Sequence, residues 1–272
     1  MLIIAMCRGW LIAAMVLALL GCGETNHEDK VMVSIAQVSV AEWQALAQKR
    51  IIFGHQSVGR NILNGIRSLT AQAGISLQII ESRELAADAN IIHFSVGQNE
   101  DPLSKIADFV STLDKGIMQG TNIALMKLCY VDINDNTNTR QLAEQYSTML
   151  DHLNQKFPHT TFVAVTVPLT IVQATGLKAW IKRLLGRTPS GYADNARRQE
   201  FNEILRVRYS QQGRLFDLAK IEAEDAGAYE YEGRPIEVLN PALTSDRGHL
   251  NTQGQEKVAA ELIKFLAALP SR

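Results

Sequence analysis

Arg50-Ile51-Ile52-Phe53-Gly54-His55-Gln56-Ser57-Val58-Gly59 is the stretch of this sequence that decides the fold. A short apolar run ends in a Gly/His/Gln/Ser turn, and apolar residues at helical spacing follow. Strand, turn and helix in this order place Ser57 at the carboxyl end of the first strand of an open α/β sheet, where such sheets hold ligands. A serine at a strand-to-helix turn is more often a helix N-cap, so Ser57 alone does not establish a site.

The rest of the chain alternates apolar runs with amphipathic stretches. The predicted strands are 75–80, 91–96, 122–131, 160–167 and 214–217, and the predicted helices are 41–48, 57–72, one opened by Pro102, 139–155, 192–209 and 253–267. This alternation predicts βαβ units, and therefore a three-layer αβα domain on a parallel sheet of about five strands.

Polar clusters follow several predicted strands. They are Ser57, Gly97 with Asn99, Asp132 with Asn134, and Asp246 with His249. Because crossovers between parallel strands are right-handed, these clusters are expected to meet at one edge of the sheet. The sequence therefore predicts a site at that edge without naming its reaction.

The segment Thr244-Ser245-Asp246-Arg247-Gly248-His249-Leu250-Asn251 adds a candidate base. An aspartate three residues before a histidine can hold one ring nitrogen as a donor and leave the other to take the proton of Ser57. A hydroxyl needs such a base within about 3 Å to become a useful nucleophile. The alternative is that Asp246 caps a turn and His249 caps the last helix.

The two segments together resemble the SGNH (GDSL-like) hydrolase family. GHQSVG (54–59) matches the family's first block and DRGHLNTQG (246–254) its last, and the resemblance spans residues 50–268. It implies a flavodoxin-like sheet with Ser57 as nucleophile, His249 as general base and Asp246 as its orienting carboxylate. It also implies an oxyanion hole formed by the N–H groups of Ser57 and Gly97 and an asparagine side chain.

The chain departs from the family at two places. In the first block Gln56 stands where an aspartate is usual and His55 where glycine is commoner, and the third block, normally G-x-N-D, is CYVDIND (129–135). Asp132 and Asn134 lie in that block. The oxyanion asparagine is therefore Asn134, or Asn99 of the preceding loop, or absent.

The resemblance implies a serine esterase that works through an acyl-serine intermediate, with O-acetyl groups on carbohydrate as the expected substrate class. An O-acyltransferase and a non-catalytic envelope binding or assembly module are the alternatives. No cofactor is expected, and no metal, because the histidines lack a spacing such as H-x-x-x-H. The formal net charge of -1, without a basic stripe, argues against nucleic acid as a partner.

Residues 1–21 predict a lipoprotein signal peptide. An apolar run, 10–20, follows Arg8, and Leu-Leu-Gly-Cys (19–22) resembles the bacterial lipobox, in which the cysteine is lipidated, palmitate being one of the expected acyl groups. An ordinary signal peptide is the alternative, and Met6 is a second candidate start. Residues 22–40 are expected to be a tether and 41–272 the domain.

These features predict a bacterial envelope protein anchored in the membrane through Cys22. Gly23 favours the periplasmic face of the outer membrane, by resemblance to sorted lipoproteins. After cleavage Cys129 would be the only other thiol, which excludes a disulfide scaffold, and a buried apolar thiol is its expected state.

Three further features have structural interpretations beside functional ones. His55 and His93 are expected to be structural. An apolar stripe at 177–184, surrounded by Lys178, Lys182, Arg183 and Arg187, predicts a helix that touches a membrane, covers the site or is an ordinary surface helix. Residues 224–241 are expected to form a long loop that shapes the substrate pocket.

Overall fold

The computed structural model of the protein describes residues 37–173, 175–185 and 188–270. The predicted signal peptide, Cys22 and all but the last residues of the predicted tether lie outside them. The domain begins with helix α1 (Val40–Ala47), which Ser39 caps by accepting the N–H of Glu42. No helix among the described residues is long and apolar enough to cross a membrane.

Helices and strands alternate along the described chain as predicted. The other helices are α2 (Ser57–Ala73), α3 (Pro102–Thr112), α4 (Thr139–Lys156), α5 (Leu177–Leu184), α6 (Tyr192–Tyr209), α7 (Leu218–Ala223) and α8 (Thr252–Ala268). The strands are β1 (Ile51–His55), β2 (Ile79–Glu81), β3 (Ile91–Ser95), β4 (Ile123–Met126), β5 (Thr161–Val165), β6 (Leu215–Phe216), β7 (Tyr229–Tyr231) and β8 (Arg234–Ile236).

The described residues form a six-stranded parallel sheet in the order β2-β3-β1-β4-β5-β6. The predicted αβα fold is therefore confirmed, with six strands rather than about five. β1 lies between β3 and β4, so the chain runs from β1 to β2 and β3 on one side and then crosses to β4 on the other. The carboxyl end of β1 is thus a topological switch point, the usual ligand site of open α/β sheets.

Side chains of β1 alternate between two hydrophobic cores. Ile51 and Phe53 pack on one face with α1, α2 and α8, whereas Ile52 packs on the other face with α3, α4 and α6. Burial on both faces explains why the strands read as continuous apolar runs rather than alternating ones. The layers hold the first turn of α2 and the turn before α8 at the same edge of the sheet.

The predicted strands are all shorter in the structure, and register explains the difference for two of them. β3 begins at Ile91, which pairs with Ile79, so residues 75–78 have no strand partner. β4 ends at Met126, opposite Gly54, because β1 turns into α2 immediately afterwards. The predicted loop 224–241 contains the antiparallel hairpin β7–β8.

Candidate active site

Ser57, His249 and Asp246 form one continuous hydrogen-bonded chain. Ser57 Oγ lies 2.9 Å from His249 Nε2, and His249 Nδ1 lies 2.6 Å from Asp246 Oδ2. Ser57 is the first residue of α2, and His249 lies in the turn before α8, 192 positions later. The structure thus brings together the three residues that the sequence predicted as a triad.

Asp246 performs two tasks with its two carboxylate oxygens. Oδ1 accepts the backbone N–H groups of Gly248 and His249, at 3.1 and 2.8 Å, while Oδ2 accepts from the imidazole. Burial raises the pKa of this carboxyl, but the hydrogen bonds from His249 and Gly248 outweigh it and leave the pKa at about 2. Asp246 therefore both caps its turn and contacts the imidazole. The N-terminus of α8 is capped by Asn251 and not by His249.

The turn that carries the imidazole is fixed by contacts from three directions. Asn61 Oδ1, on α2, accepts the N–H of Leu250, and Thr244 Oγ1 donates to the carbonyl oxygen of His249. Arg247 adopts φ +93°, a conformation disfavoured for a non-glycine residue, and its carbonyl oxygen accepts the N–H of Ile171. This support sets the imidazole against Ser57 rather than leaving it on a free loop.

Gln56 and Gly59 shape the nucleophile turn. Gln56 Nε2 donates to the carbonyl oxygens of Val96 and Gly97, at 2.5 and 3.0 Å, and so ties this turn to the loop after β3. A Cβ atom on Gly59 would collide with the side chain of His55, which explains the glycine at this position. Gln56 therefore connects two loops where the family pattern has an aspartate.

A buried hydrogen-bonded chain lies directly behind the nucleophile turn. His55 Nδ1 donates to the Gln56 carbonyl oxygen (2.7 Å), so His55 Nε2 must accept from His93 Nδ1 (3.1 Å). His93 Nε2 in turn accepts from Arg67 (3.3 Å). Burial lowers the pKa of His55 to about 3 and that of His93 to about 4. Both histidines are neutral at pH 7 and structural in their contacts, as predicted from the sequence.

The structure contradicts the predicted oxyanion role of Gly97. Its N–H donates to Asp108 Oδ2 at 2.9 Å, and Asp108 is itself paired with Arg83. The glycine is required for a different reason, since φ is +42° and a Cβ would lie 2.6 Å from the Ser104 carbonyl carbon. The loop after β3 packs too closely on α3 for a side chain, and its N–H is not available to a ligand.

Asp132 is likewise not a substrate-binding group. It forms a fully buried ion pair with Lys105, both carboxylate oxygens lying 2.7 Å from Nζ. Its oxygens also accept the N–H groups of Glu100 and Cys129. The predicted site residue is thus the tie between α3 and the loop after β4.

The two candidate asparagines differ in what their side chains do. Asn99 Oδ1 accepts from Lys105 Nζ at 3.0 Å, which orients the side chain, and no acceptor for its amide Nδ2 is found among the described residues. Asn134 Oδ1 accepts the N–H of Asn136 and so caps its own turn, and its Nδ2 likewise has no acceptor among the described residues. Each asparagine therefore retains an oriented, exposed donor, and that of Asn99 belongs to the loop that Gln56 ties to the nucleophile turn.

Tyr130 is a site residue that the sequence analysis did not single out. Its hydroxyl lies 3.5 Å from His249 Nε2, and the two rings meet edge to face with centroids 5.7 Å apart. A Cβ on Gly248 would lie 2.8 Å from the Tyr130 ring, so the glycine allows this contact. The only sequence signal was the position of Tyr130 at the end of the predicted central strand, in the block 129–135.

A cleft of about 490 Å³ opens beside Tyr130 and Asp246. Its other lining residues are Glu100, Val131, Asn134, Thr170, Ile171, Ser190, Gly191, Asp194, Arg198, Arg247 and Gly248. Arg198 is buried at its base and donates to the carbonyl oxygens of Tyr130 and Ile133 and to Thr170 Oγ1. Arg198, on α6, therefore cross-links the loop after β4 to the segment after β5.

Two features outside the triad bear on other chemistries. Cys129 is buried, 2% exposed, and its sulfur lies 3.8 Å from Lys127 Nζ. Within the described part of the chain, no three His, Cys, Asp or Glu side chains lie close enough together to hold a metal ion.

No protein-family model and no curated protein matches the sequence. One similar solved structure is a proposed platelet activating factor from Streptococcus pneumonia, with 13% identity, a TM-score of 0.48 and coverage of 83% of this chain and 91% of that one. A second is the acetyl xylan esterase AlAXEase, with 16% identity, a TM-score of 0.46 and coverage of 78% and 97%. A third is a proposed lipolytic protein of the G-D-S-L family from Desulfitobacterium hafniense DCB-2, with 9% identity, a TM-score of 0.46 and coverage of 80% and 99%.

Proposed function

We propose that this chain is a serine ester hydrolase of the SGNH type. The observation that carries the proposal is the continuous contact from hydroxyl to imidazole to carboxylate. His249 Nε2 takes the proton of Ser57 Oγ as the oxygen attacks the ester carbonyl, and it gives that proton to the departing alcohol. Water then attacks the acyl-serine with His249 as base, the free acid leaves, and Ser57 regains its proton.

The negative charge on the tetrahedral intermediate needs donors, and two groups are suitably placed. Ser57 begins α2 without a side-chain cap, so its N–H keeps no protein acceptor among the described residues and shares the positive end of the helix. We assign the second donor to Nδ2 of Asn99. An oxyanion donor of this kind typically supplies about 3 kcal/mol of transition-state stabilisation.

The exposure of the triad favours an ester substrate that has a small acyl group and a bulky polar alcohol. The side chains of His249 and Asp246 are 38% and 53% exposed, so the reacting carbonyl would lie near the surface rather than in a deep acyl tunnel. The neighbouring cleft offers hydroxyl, amide and carboxylate groups around Tyr130, the mixture that sugar hydroxyls and ring faces bind. O-acetylated carbohydrate is therefore the substrate class that we propose.

Trapping of the acyl-enzyme tests the proposal. The protein is mixed with p-nitrophenyl acetate, quenched in acid and digested, and the peptide bearing Ser57 is examined by mass spectrometry. An acetyl group on Ser57, with faster turnover of the acetate than of the octanoate ester, is the expected result. Turnover that persists at the parent rate in Ser57→Ala would refute an acyl-serine mechanism.

We also propose that the domain works in the bacterial envelope, anchored through a lipidated Cys22. This proposal rests on the sequence between Trp10 and Cys22 alone. Metabolic labelling with radioactive palmitate tests it, since the parent should incorporate label and Cys22→Ala should not. Equal labelling of both proteins would refute lipidation at Cys22.

A further inference from the structure

Helix α5 exposes the face that an amphipathic helix normally buries. Five large apolar side chains lie on one face at helical spacing, with exposed fractions of 71% for Leu177, 60% for Trp180, 41% for Ile181, 70% for Leu184 and 64% for Leu185. Elsewhere in the described chain, exposed large apolar residues occur singly. A contiguous apolar patch of this kind marks an interaction surface.

The segment around this face is purely basic. Residues 168–193 contain Lys178, Lys182, Arg183 and Arg187 and no aspartate or glutamate. Lys178 is exposed, and Lys182 is half-buried with Nζ donating to Ser190 Oγ at 2.8 Å. A partner that fits this surface therefore has an apolar layer beside a negatively charged layer.

An anionic lipid surface has this layering. Apolar residues with a tryptophan on one face of a short helix and lysines beside them are the pattern of a helix lying in the plane of a bilayer interface. Each basic residue near such a surface adds attraction to anionic headgroups. A second copy of this chain fits less well, because a two-fold contact through α5 would bring the basic residues of both copies together.

We propose that α5 and Leu185 dock on an anionic lipid bilayer. The inference is independent of the proposed esterase activity, and it does not require the lipid anchor. It also bears on the site, because the ends of the segment are tied together by the Gln173 N–H donating to the Ser190 carbonyl oxygen at 3.0 Å. Ile171, Ser190 and Gly191, at those ends, line the cleft beside the triad. Docking would hold the cleft close to the lipid surface.

Tryptophan fluorescence tests the proposal on the full chain, because the chain has three tryptophans, at positions 10, 43 and 180. Trp43 is 4% exposed and Trp180 is 60% exposed. In a Trp10→Phe background, lipid contact by Trp180 is read as a blue shift and as quenching by brominated acyl chains. The protein is reconstituted into brominated phosphatidylcholine vesicles with and without phosphatidylglycerol.

The expected result is loss of most Trp180 emission, stronger with phosphatidylglycerol and absent in Trp180→Phe. Leu184→Glu should abolish the quenching. Val207→Glu should leave it intact, because Val207 is 85% exposed near the C-terminal end of α6 and is not part of the patch. Near-UV circular dichroism, dominated by buried aromatic residues, checks that each variant is folded.

Emission that is not quenched in a folded protein would overturn the proposal, even if lipidated Cys22 holds that protein on the vesicle. A blue shift without quenching would indicate instead that another part of this chain covers the face. Concentration-dependent cross-linking without quenching would indicate a second copy.

Discussion

His249 makes both contacts on which the proposed chemistry depends, and each uses a different ring nitrogen. Nδ1 faces a carboxylate whose pKa of about 2 keeps it ionised at every pH at which a folded enzyme would be assayed. Nε2 faces Ser57 and can therefore act as the acceptor. The Asp246 carboxylate selects the tautomer that can take a proton.

Asp246→Asn should consequently lower kcat/KM for p-nitrophenyl acetate by roughly 10³–10⁴-fold, because an amide can hold the wrong tautomer. The turn should survive, since Asn Oδ1 can still accept the N–H groups of Gly248 and His249. Unchanged thermal unfolding with unchanged kcat/KM would show that Asp246 only caps the turn.

Asn99 and Asn134 provide a matched pair for locating the oxyanion donor. Asn99→Ala should lower kcat by about 10²-fold or more with little change in KM, the loss expected for a donor that acts in the transition state. Asn134→Ala should change kcat by less than a few-fold, because we assign the donor to Asn99, whose loop Gln56 ties to the nucleophile turn. A large loss of kcat in Asn134→Ala and a small one in Asn99→Ala would identify Asn134 as the oxyanion donor instead.

For single residues, the sequence was sufficient where the role of a residue follows from its chemical type. Serine, histidine and aspartate at the ends of strands indicate nucleophilic chemistry. Gly97 was misassigned because a glycine gives the same sequence signal whether its N–H binds a ligand or its missing side chain permits close packing on α3. Tyr130 was missed because its contact with His249 joins positions 119 residues apart, and no local pattern indicates that contact.

Among the secondary-structure elements, α3 and the loop after β4 depend on one buried ion pair. Lys105 and Asp132 are both fully buried. Lys105 Nζ also donates to Asn99 Oδ1, and the Asp132 carboxylate accepts the N–H groups of Glu100 and Cys129. Removing one partner of such a pair leaves the other charge buried, without an opposite charge and without water. The geometry of both loops beside the triad therefore depends on it.

Lys105→Met should destabilise the fold by about 3–5 kcal/mol in urea denaturation, because it leaves the Asp132 carboxylate buried and unpaired. The double variant Lys105→Met/Asp132→Asn should recover most of that stability, since the asparagine oxygen can still accept backbone N–H groups. A single variant as stable as the parent would show that the ion pair contributes no stability.

Helices were predicted closely from the sequence, and strands less closely. The predicted helix 192–209 coincides with α6, because its pattern and its ends are local properties. Strand ends depend on partners far away in the sequence, as at Ile79 and Met126, where pairing stops with the neighbouring strand. The buried pair of Lys105 and Asp132 was unpredictable for the same reason.

At the scale of the whole molecule, the fold keeps two histidines neutral behind the nucleophile. Burial lowers the pKa of His55 to about 3 and that of His93 to about 4, whereas an unfolded histidine titrates near 6.5. Between about pH 6.5 and 4 the unfolded chain therefore binds more protons than the folded protein does. The contribution of these histidines to stability is complete above pH 6.5 and is lost as the pH falls towards 4.

The free energy of unfolding should accordingly fall between pH 7 and 5, with each histidine contributing a slope of up to about 1.4 kcal/mol per pH unit. Urea denaturation of the parent and of His93→Gln measures this slope. The variant should show a shallower dependence, because one titrating group is gone. Identical slopes would mean that folding does not lower the pKa of His93.

The central claim is that the molecule activates Ser57 through His249, and a fluorophosphonate probe tests it most directly. The parent, Ser57→Ala and His249→Ala are incubated with the probe, and covalent labelling is followed beside p-nitrophenyl acetate hydrolysis. We predict labelling and turnover by the parent, no labelling of Ser57→Ala, and at most trace labelling of His249→Ala. A folded parent that neither reacts nor hydrolyses would contradict the claim and would favour a binding module built on the same fold.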